Sequence, residues 1–434
     1  MRQRRDIFTG IVLGSDVIRV AVASFENRED PTSQLLVRGY AKVPSLKIRR
    51  DEPETPAIVT EQLTKALEEA WTMADCEGFP GNLSLCISGV HVQRKIATAT
   101  LPLDDRKAIT EEEVNKAMHL IYQGKKSWEP EPVDGMVCCF PLINRGFRLA
   151  DGRLRLNAVG QVSTSLTAES FYFPEEAETH EKIDAVVRNA LPPEALVRTV
   201  VYAPIALSSG IFLPSMMEEC TGLAVDLGAG MTSYVILGRY GAVACGQIPV
   251  GMDHVVNDLA IALGVQLDTA RKLVEDMERI RCSLDVKQDG QARLLNIQEN
   301  LEGNRRYIQV CSAAVEMVME ARIREIFQLV RETLEEENSH HWVGNEIILT
   351  GPGATLPQIG LVVGKVFPER KVSLGTPYRV QGRDGMTFGP EDAMVMGLLR
   401  ASCQEEQLRE HSEGEDNEGL LGSLKAFWKS VRDW

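Results

Sequence analysis

Long apolar runs are what this chain most plainly lacks. No stretch of its 434 residues approaches the roughly 20 mostly apolar residues that cross a bilayer as a helix. The opening Met1-Arg-Gln-Arg-Arg-Asp6 is basic, yet no apolar signal-peptide core follows it. Positive charge is in deficit as well: 47 Lys and Arg stand against 62 Asp and Glu, a formal net charge of -15. With no basic face visible, nucleic acid is excluded as the main partner. The nine cysteines form no C-x-x-C pair. Scattered as Cys76, Cys86, Cys138, Cys139, Cys220, Cys245, Cys282, Cys311 and Cys403, they read as small buried residues in a reducing compartment, neither zinc ligands nor a disulfide frame. These absences point to a chain made and kept in the cytoplasm. What is present, 44% hydrophobic and 25% charged residues, suits a large body of two or more domains.

One segment departs from that soluble character. In residues 419–434, Leu420, Leu421, Leu424, Phe427, Trp428, Val431 and Trp434 fall at i, i+1, i+4, i+7, i+8, i+11 and i+14, one apolar stripe of an α-helix. Lys425, Lys429 and Arg432 flank the stripe, and Trp prefers the headgroup boundary. At about 24 Å the helix is too short and too charged to span, so it is expected to lie in the surface of an anionic membrane. A terminal helix packed on its own domain is the commoner fate of such a segment. Here residues 402–418 precede it, with Glu405, Glu406, Glu410, Glu413, Glu415, Asp416 and Glu418 against one Arg409. That composition reads as a solvated acidic linker, which makes the helix an anchor on a tether.

Two segments share one design. Residues 7–24 read as an apolar strand, a Gly14-Ser15 turn and a second apolar strand from Val17. Residues 222–237 repeat it: Leu223-Ala-Val-Asp226-Leu-Gly228-Ala-Gly230, then Thr232-Ser-Tyr-Val-Ile-Leu237. Both are read as β-hairpins with glycine-rich bends. Such bends let backbone N–H groups converge on an oxyanion and let a phosphate approach closely. Asp226, at a strand end, is placed to hold through water the cation that accompanies a nucleotide. A third glycine motif, Thr350-Gly351-Pro352-Gly353-Ala354, follows the apolar strand that starts at Glu346.

This set resembles the actin/Hsp70/sugar-kinase superfamily, and within it the FtsA family of bacterial cell division proteins. Gly10-Ile-Val-Leu-Gly14-Ser15 sits where that family carries its first phosphate loop, and Asp226-Leu-Gly228-Ala-Gly230 where it carries the second. Ile87-Ser-Gly-Val-His91 resembles the entry to the family's inserted subdomain, and Ile109-Thr-Glu-Glu-Glu-Val114 the start of that insert's helix, with Thr110 and Glu113 as a capping box. Ile248-Pro-Val-Gly251 with Asn257-Asp258 matches a further block. Met319-Glu-Ala-Arg322-Ile-Arg-Glu325-Ile-Phe327 matches the helix before the adenosine loop, and Leu349-Thr-Gly-Pro-Gly353-Ala354 the loop itself. The resemblance implies an α/β, two-lobed actin-like (ribonuclease-H-like) ATPase fold with an FtsA-type insert and a C-terminal amphipathic helix. Lobe 1 is expected over 1–83 and 168–220, with 390–401 returning to it. The insert is expected over 84–167 and lobe 2 over 221–389, with about 251–317 its outer subdomain.

Function follows from the resemblance as a set of expectations. ATP with Mg would contact Gly14, Ser15, Asp226, Gly228, Gly230, Thr232, Gly351 and Gly353, with Asp226 toward the metal. The partners implied are the acidic tail peptide of the tubulin-like FtsZ, met by Arg305 and Arg306, the cytoplasmic face of the membrane at the division septum, and further copies of the chain in actin-like filaments. Departures bear on chemistry. Val12 stands where the family carries an acidic residue, Met231 follows Gly230 where Thr is usual, Ala270-Arg271-Lys272 replaces a polar ribose-facing stretch, and Pro352 removes an N–H donor. Phosphoryl transfer works by positioning and electrostatics, so nucleotide binding with at most weak ATPase activity is expected and no catalytic residue is assigned. Two alternatives share the fold: an active ATPase or kinase, which would need an acid at 12 and a Thr at 231, and a PilM-like pilus scaffold, which would not be expected to end in an amphipathic anchor.

Overall fold

The computed structural model describes residues 6–49, 52–75, 82–104, 107–124, 139–174, 177–211, 221–238, 241–275, 294–301 and 304–413. The chain opens with β1 (Phe8–Leu13), β2 (Val17–Phe25) and β3 (Leu35–Pro44), a short pair β4 (Ile48–Arg49) and β5 (Glu52–Pro53), helix α1 (Pro56–Met73) and β6 (Asn82–Ile87). An inserted unit follows: β7 (Lys95–Pro102), α2 (Glu111–Gln123), β8 (Cys139–Leu149), β9 (Leu154–Arg155) and β10 (Ser165–Phe173). The chain then returns through α3 (Ala177–Ala190), β11 (Val197–Tyr202) and α4 (Ala203–Gly210). The second half holds β12 (Gly222–Leu227), β13 (Thr232–Gly238), β14 (Gly241–Ile248), α5 (Met252–Leu263), α6 (Leu267–Glu275), the hairpin β15 (Leu294–Leu301) and β16 (Asn304–Cys311), and α7 (Ser312–Glu336). It closes with β17 (Glu346–Thr350), α8 (Ile359–Val366), β18 (Lys371–Leu374), β19 (Val380–Gly382) and α9 (Ala393–Glu413).

Two sheets repeat one topology. In lobe 1 the order is β11-β6-β1-β2-β3-β19, and in lobe 2 it is β14-β13-β12-β17-β18. Each begins with a three-strand antiparallel meander and adds two parallel strands beside the first, after helical crossovers. Strands β1 and β12 are buried along their whole length, as central strands covered on both faces must be, hence their near-continuous apolar sequences. Helices cover the sheets with stripes at helical spacing: Val59, Leu63, Ala66, Leu67 and Ala70 on α1, and Val315, Met319, Ile323, Ile326, Phe327, Val330 and Leu334 on α7.

The lobes are joined by α4 and α9. Helix α4 leaves lobe 1 and packs on β13 and β14 of lobe 2, while α9 packs on β1 and β6 of lobe 1. They cross through glycines: a Cβ on Gly210 would stand 2.0 Å from the Ala393 carbonyl oxygen, and one on Gly397 1.8 Å from that of Ala206. The insert has its own sheet, β7-β10-β8-β9, with α2 packed over a small separate core around Phe147, Leu166 and Met118. Its helix starts with the anticipated capping box: Thr110 N–H donates to Glu113 Oε2 at 2.8 Å, and Glu113 N–H to Thr110 Oγ1 at 3.3 Å.

Pairing shifts several expected boundaries. Residues 82–87 belong wholly to the lobe 1 sheet, and β10 carries the insert's sheet on to Phe173. Val380–Gly382 pairs with β3, so the chain re-enters lobe 1 before residue 390. The stretch expected as linker from 402 is helical as far as Glu413, because α9 continues to that residue. Ser402, Cys403 and Glu405 are buried, Cys403 Sγ approaches the Arg28 carbonyl oxygen at 3.5 Å, and Arg198 pairs with Glu406 at 3.3 Å. Residues 414–434, with the expected membrane helix, lie outside the described residues. Among those described, no helix is long and apolar enough to cross a membrane.

Candidate functional site

The two hairpin bends and the third glycine turn converge between the lobes. Gly14, Ser15, Asp226, Gly228 and Gly351 line one small pocket of about 50 Å³. A larger cleft of about 740 Å³ shares Ser15, Asp16, Ala229 and Pro352 with it, and runs past Gly353 to Asp268, Arg271 and Glu275 on α6. The cleft has the size of a cofactor site, and the pocket holds no more than one terminal group of a ligand. Six of the eight expected cofactor residues therefore line these two adjoining pockets.

Gly230 and Thr232 do not line it. Thr232 is fully buried and its Oγ1 donates to the Val250 carbonyl oxygen at 2.7 Å. The reason is strand alternation: Ser233, the next residue, faces the pocket, so Thr232 faces the other side. Met231 closes the bend, accepting on its carbonyl oxygen from Gly228 N–H at 3.1 Å. The bend's carbonyls at Gly228 and Ala229 accept from Met252 and Asp253 N–H at 2.9 Å each, which ties it to the start of α5.

Asp226 is nearly buried, and Thr350 Oγ1 donates to its Oδ2 at 2.8 Å. The parallel register Asp226↔Thr350 creates that contact. Gly351 follows with φ at 82°, where a Cβ would lie 2.8 Å from the Leu227 carbonyl oxygen and 3.0 Å from Asp226 Oδ1. Only glycine serves there.

Register also defines a row of side chains across each sheet, one position before the bend. In lobe 2 the row is Thr350, Asp226, Ser233 and Gln247. In lobe 1 it is Cys86, Val12, Arg19 and Lys42. Arg19 lines the pocket and Lys42 follows it in the row; the sequence reading named neither. The available signal was a single charge in the apolar strand Val17-Ile-Arg-Val-Ala-Val-Ala23. Lys42 Nζ pairs with Asp392 at 2.9 Å and Glu391 at 3.4 Å, and Tyr40 Oη donates to Asp392 Oδ1 at 2.5 Å. Burial, reinforced by the Asp392 charge, pushes the Tyr40 hydroxyl well above its ordinary pKa and keeps it a neutral donor.

A divalent cation fits this pocket poorly. Of its acids, Asp226 accepts from Thr350, Glu391 is paired with Lys42, and Asp16 lies 3.8 Å from Arg19. Val12 leaves position 12 without a carboxylate, and no group of three metal-competent side chains occurs among the described residues.

Elsewhere, two motifs noted separately meet: Arg322 forks onto Asp258 at 2.6 and 3.0 Å, joining α7 to α5. Arg305 and Arg306 are exposed on β16, directly before α7, with Arg306 Nη1 donating to the Gly264 carbonyl oxygen at 3.2 Å. The insert is clasped to lobe 2 by Arg94, whose Nη2 lies 2.6 Å from Glu337 Oε1. Burial beside that pair pushes the Cys245 thiol up to about 12.

No family model matches the chain. Among curated proteins it is similar to cell division protein FtsA of Borreliella burgdorferi, 21% identical over 403 residues covering 91% of this chain and 90% of that one. It is likewise similar to FtsA of Pseudomonas aeruginosa, 22% identical with coverage of 91% and 90%. The likeness to FtsA of Rhizobium meliloti, 26% identical, spans 47% of this chain and 45% of that protein. Among solved structures the PilM-PilN type IV pilus biogenesis complex aligns with a TM-score of 0.57 at 15% identity, covering 92% of this chain and 98% of that one. At that identity the likeness establishes the actin-like fold alone.

Proposed function

We propose, from the premise that this chain is an actin-like protein of the FtsA type, that it serves cell division as a peripheral membrane adaptor. The observation that carries the reading is the likeness to FtsA proteins over 91% of the chain, on an actin-like two-lobed body. In this reading residues 419–434 lie in the inner face of the cytoplasmic membrane at the septum, and lobe 2 receives the acidic tail of FtsZ on the exposed β16 face around Arg305 and Arg306. Copies of the body associate into filaments. A nucleotide occupies the cleft, supported by the convergence of three glycine turns on the two adjoining pockets. Turnover is at most weak, because Val12 removes a carboxylate that would organise water at the phosphate and Met231 removes a hydroxyl.

The test is reconstitution on anionic vesicles with the full chain and an FtsZ tail peptide. The peptide should sediment with vesicles only when the chain is present. Trp428→Glu should release chain and peptide together, a loss of roughly 2–3 kcal/mol of apolar burial, without lowering the melting temperature. The double change Arg305→Glu, Arg306→Glu should release the peptide alone, and added salt should do the same. Sedimentation of Trp428→Glu as for wild type would sink the anchor. Peptide binding indifferent to both salt and the arginines would move the FtsZ contact elsewhere.

A further inference from the structure

Arg19 is the most underused charge in the cleft. It is 8% exposed, and its Nη1 stands 3.6 Å from where a Cβ on Gly14 would be, over the first glycine turn. Its contacts among the described residues are long: the Val17 carbonyl oxygen at 3.5 Å and Asp16 Oδ1 at 3.8 Å. Its Nε has no hydrogen-bond partner among the described residues. Lys42, the next cation in the row, is held by Asp392 and Glu391. A guanidinium offers five donors, and burying it so thinly bonded is costly unless an anion completes the shell. Directly across the hairpin stands Val12, which offers Arg19 no carboxylate.

We propose that Arg19 is the phosphate-binding charge of this cleft, and that it holds a nucleoside polyphosphate there without a divalent cation. The inference rests on the reading that a nucleotide occupies the cleft, and deepens it. A buried guanidinium meets two phosphate oxygens through paired N–H donors, and it supplies locally the positive charge that a cation would otherwise bring. Such contacts serve the bound ground state, which agrees with a site that binds and does not turn over. A carboxylate at position 12 would capture Arg19 for itself. Val12 leaves it available.

The experiment is calorimetric titration of the full chain with ATP, ADP and inorganic pyrophosphate, each with excess Mg and with excess EDTA. Affinity for both nucleotides should agree within about threefold between the two conditions. Arg19→Met should weaken both at least about tenfold, and Arg19→Lys should recover only part, since it keeps the charge and loses the fork. Val12→Asp supplies Arg19 with an internal partner, so metal-free binding should fall while the melting temperature holds. That variant keeps the test decisive if Arg19→Met folds badly. Pyrophosphate binding as tight as ADP would make the site one for free phosphates, and overturn the nucleotide assignment. Binding abolished by EDTA would overturn the inference and leave the nucleotide reading standing, as would wild-type affinity in both Arg19→Met and Val12→Asp. No binding under either condition would remove both.

Discussion

At the same register beside its glycine bend, lobe 1 carries Val12 facing Arg19, and lobe 2 carries Asp226 facing Ser233. The outer members of the two rows differ in the same sense, Cys86 and Lys42 in lobe 1 against Thr350 and Gln247 in lobe 2. The backbones of the two halves are alike because apolar strands, a tight bend and helical crossovers suffice to specify them. Chemistry is written in the row positions alone, and there the halves have diverged to opposite charge. Lobe 1 presents Arg19, with Lys42 next in the row already paired to Asp392 and Glu391, and lobe 2 an acid with neutral hydrogen-bonding neighbours. Gln247 carries the lobe 2 row onward to the root of the insert: its Nε2 reaches Ser233 Oγ at 2.9 Å and Ser88 Oγ at 2.5 Å, and its Oε1 accepts from Gly89 N–H at 2.8 Å.

The largest effect should come where the two halves are most alike, at the crossing of α4 and α9. Gly210→Val and Gly397→Val each force a side chain into a carbonyl of the other helix, at 2.0 and 1.8 Å. Each should cost more than about 3 kcal/mol, since the obstacle is backbone that cannot change rotamer. Differential scanning calorimetry should show both variants melting far below wild type. A mild change in one alone would mean that the crossing is not shared equally by the lobes.

A smaller and unequal effect should mark the rows. Thr350→Val leaves the buried Asp226 carboxylate without its 2.8 Å donor, and should cost about 1–3 kcal/mol in urea denaturation. Cys86→Ala, at the matching place in lobe 1, deletes packing and a long, weak thiol contact to the Ile87 carbonyl oxygen at 4.0 Å, and should cost about 1 kcal/mol or less. Equal costs would erase the polar asymmetry between the lobes.

How much of this could be read in the sequence depends on which physical rule each residue obeys. The hairpins were legible because uninterrupted apolar strands joined by glycine are hard to satisfy otherwise, and Asp226 because a charge in such a strand demands a reason. Arg19 met the same criterion, but its meaning depends on lying opposite Val12, which only the pairing register reveals. Thr232 stands one place from Ser233, which lines the pocket, and in a strand one place is the opposite face. The end of α9 was hidden by composition: an acidic stretch reads as solvated, yet Ser402, Cys403 and Glu405 are buried against lobe 1. Lys42 and its acids at 391 and 392 are far apart in the chain, and no spacing rule connects them.

In the reading proposed here the opposed rows hold a nucleotide and do not spend it, since lobe 1 has Val12 where a carboxylate would place water on the phosphate. Phosphate release from ATP with Mg, followed over hours on the full chain, tests that most directly. It should stay near the uncatalysed background, while ATP binding is measurable in the same preparation. Release at about 1 per second or faster, a rate ordinary for enzymes, would contradict the account.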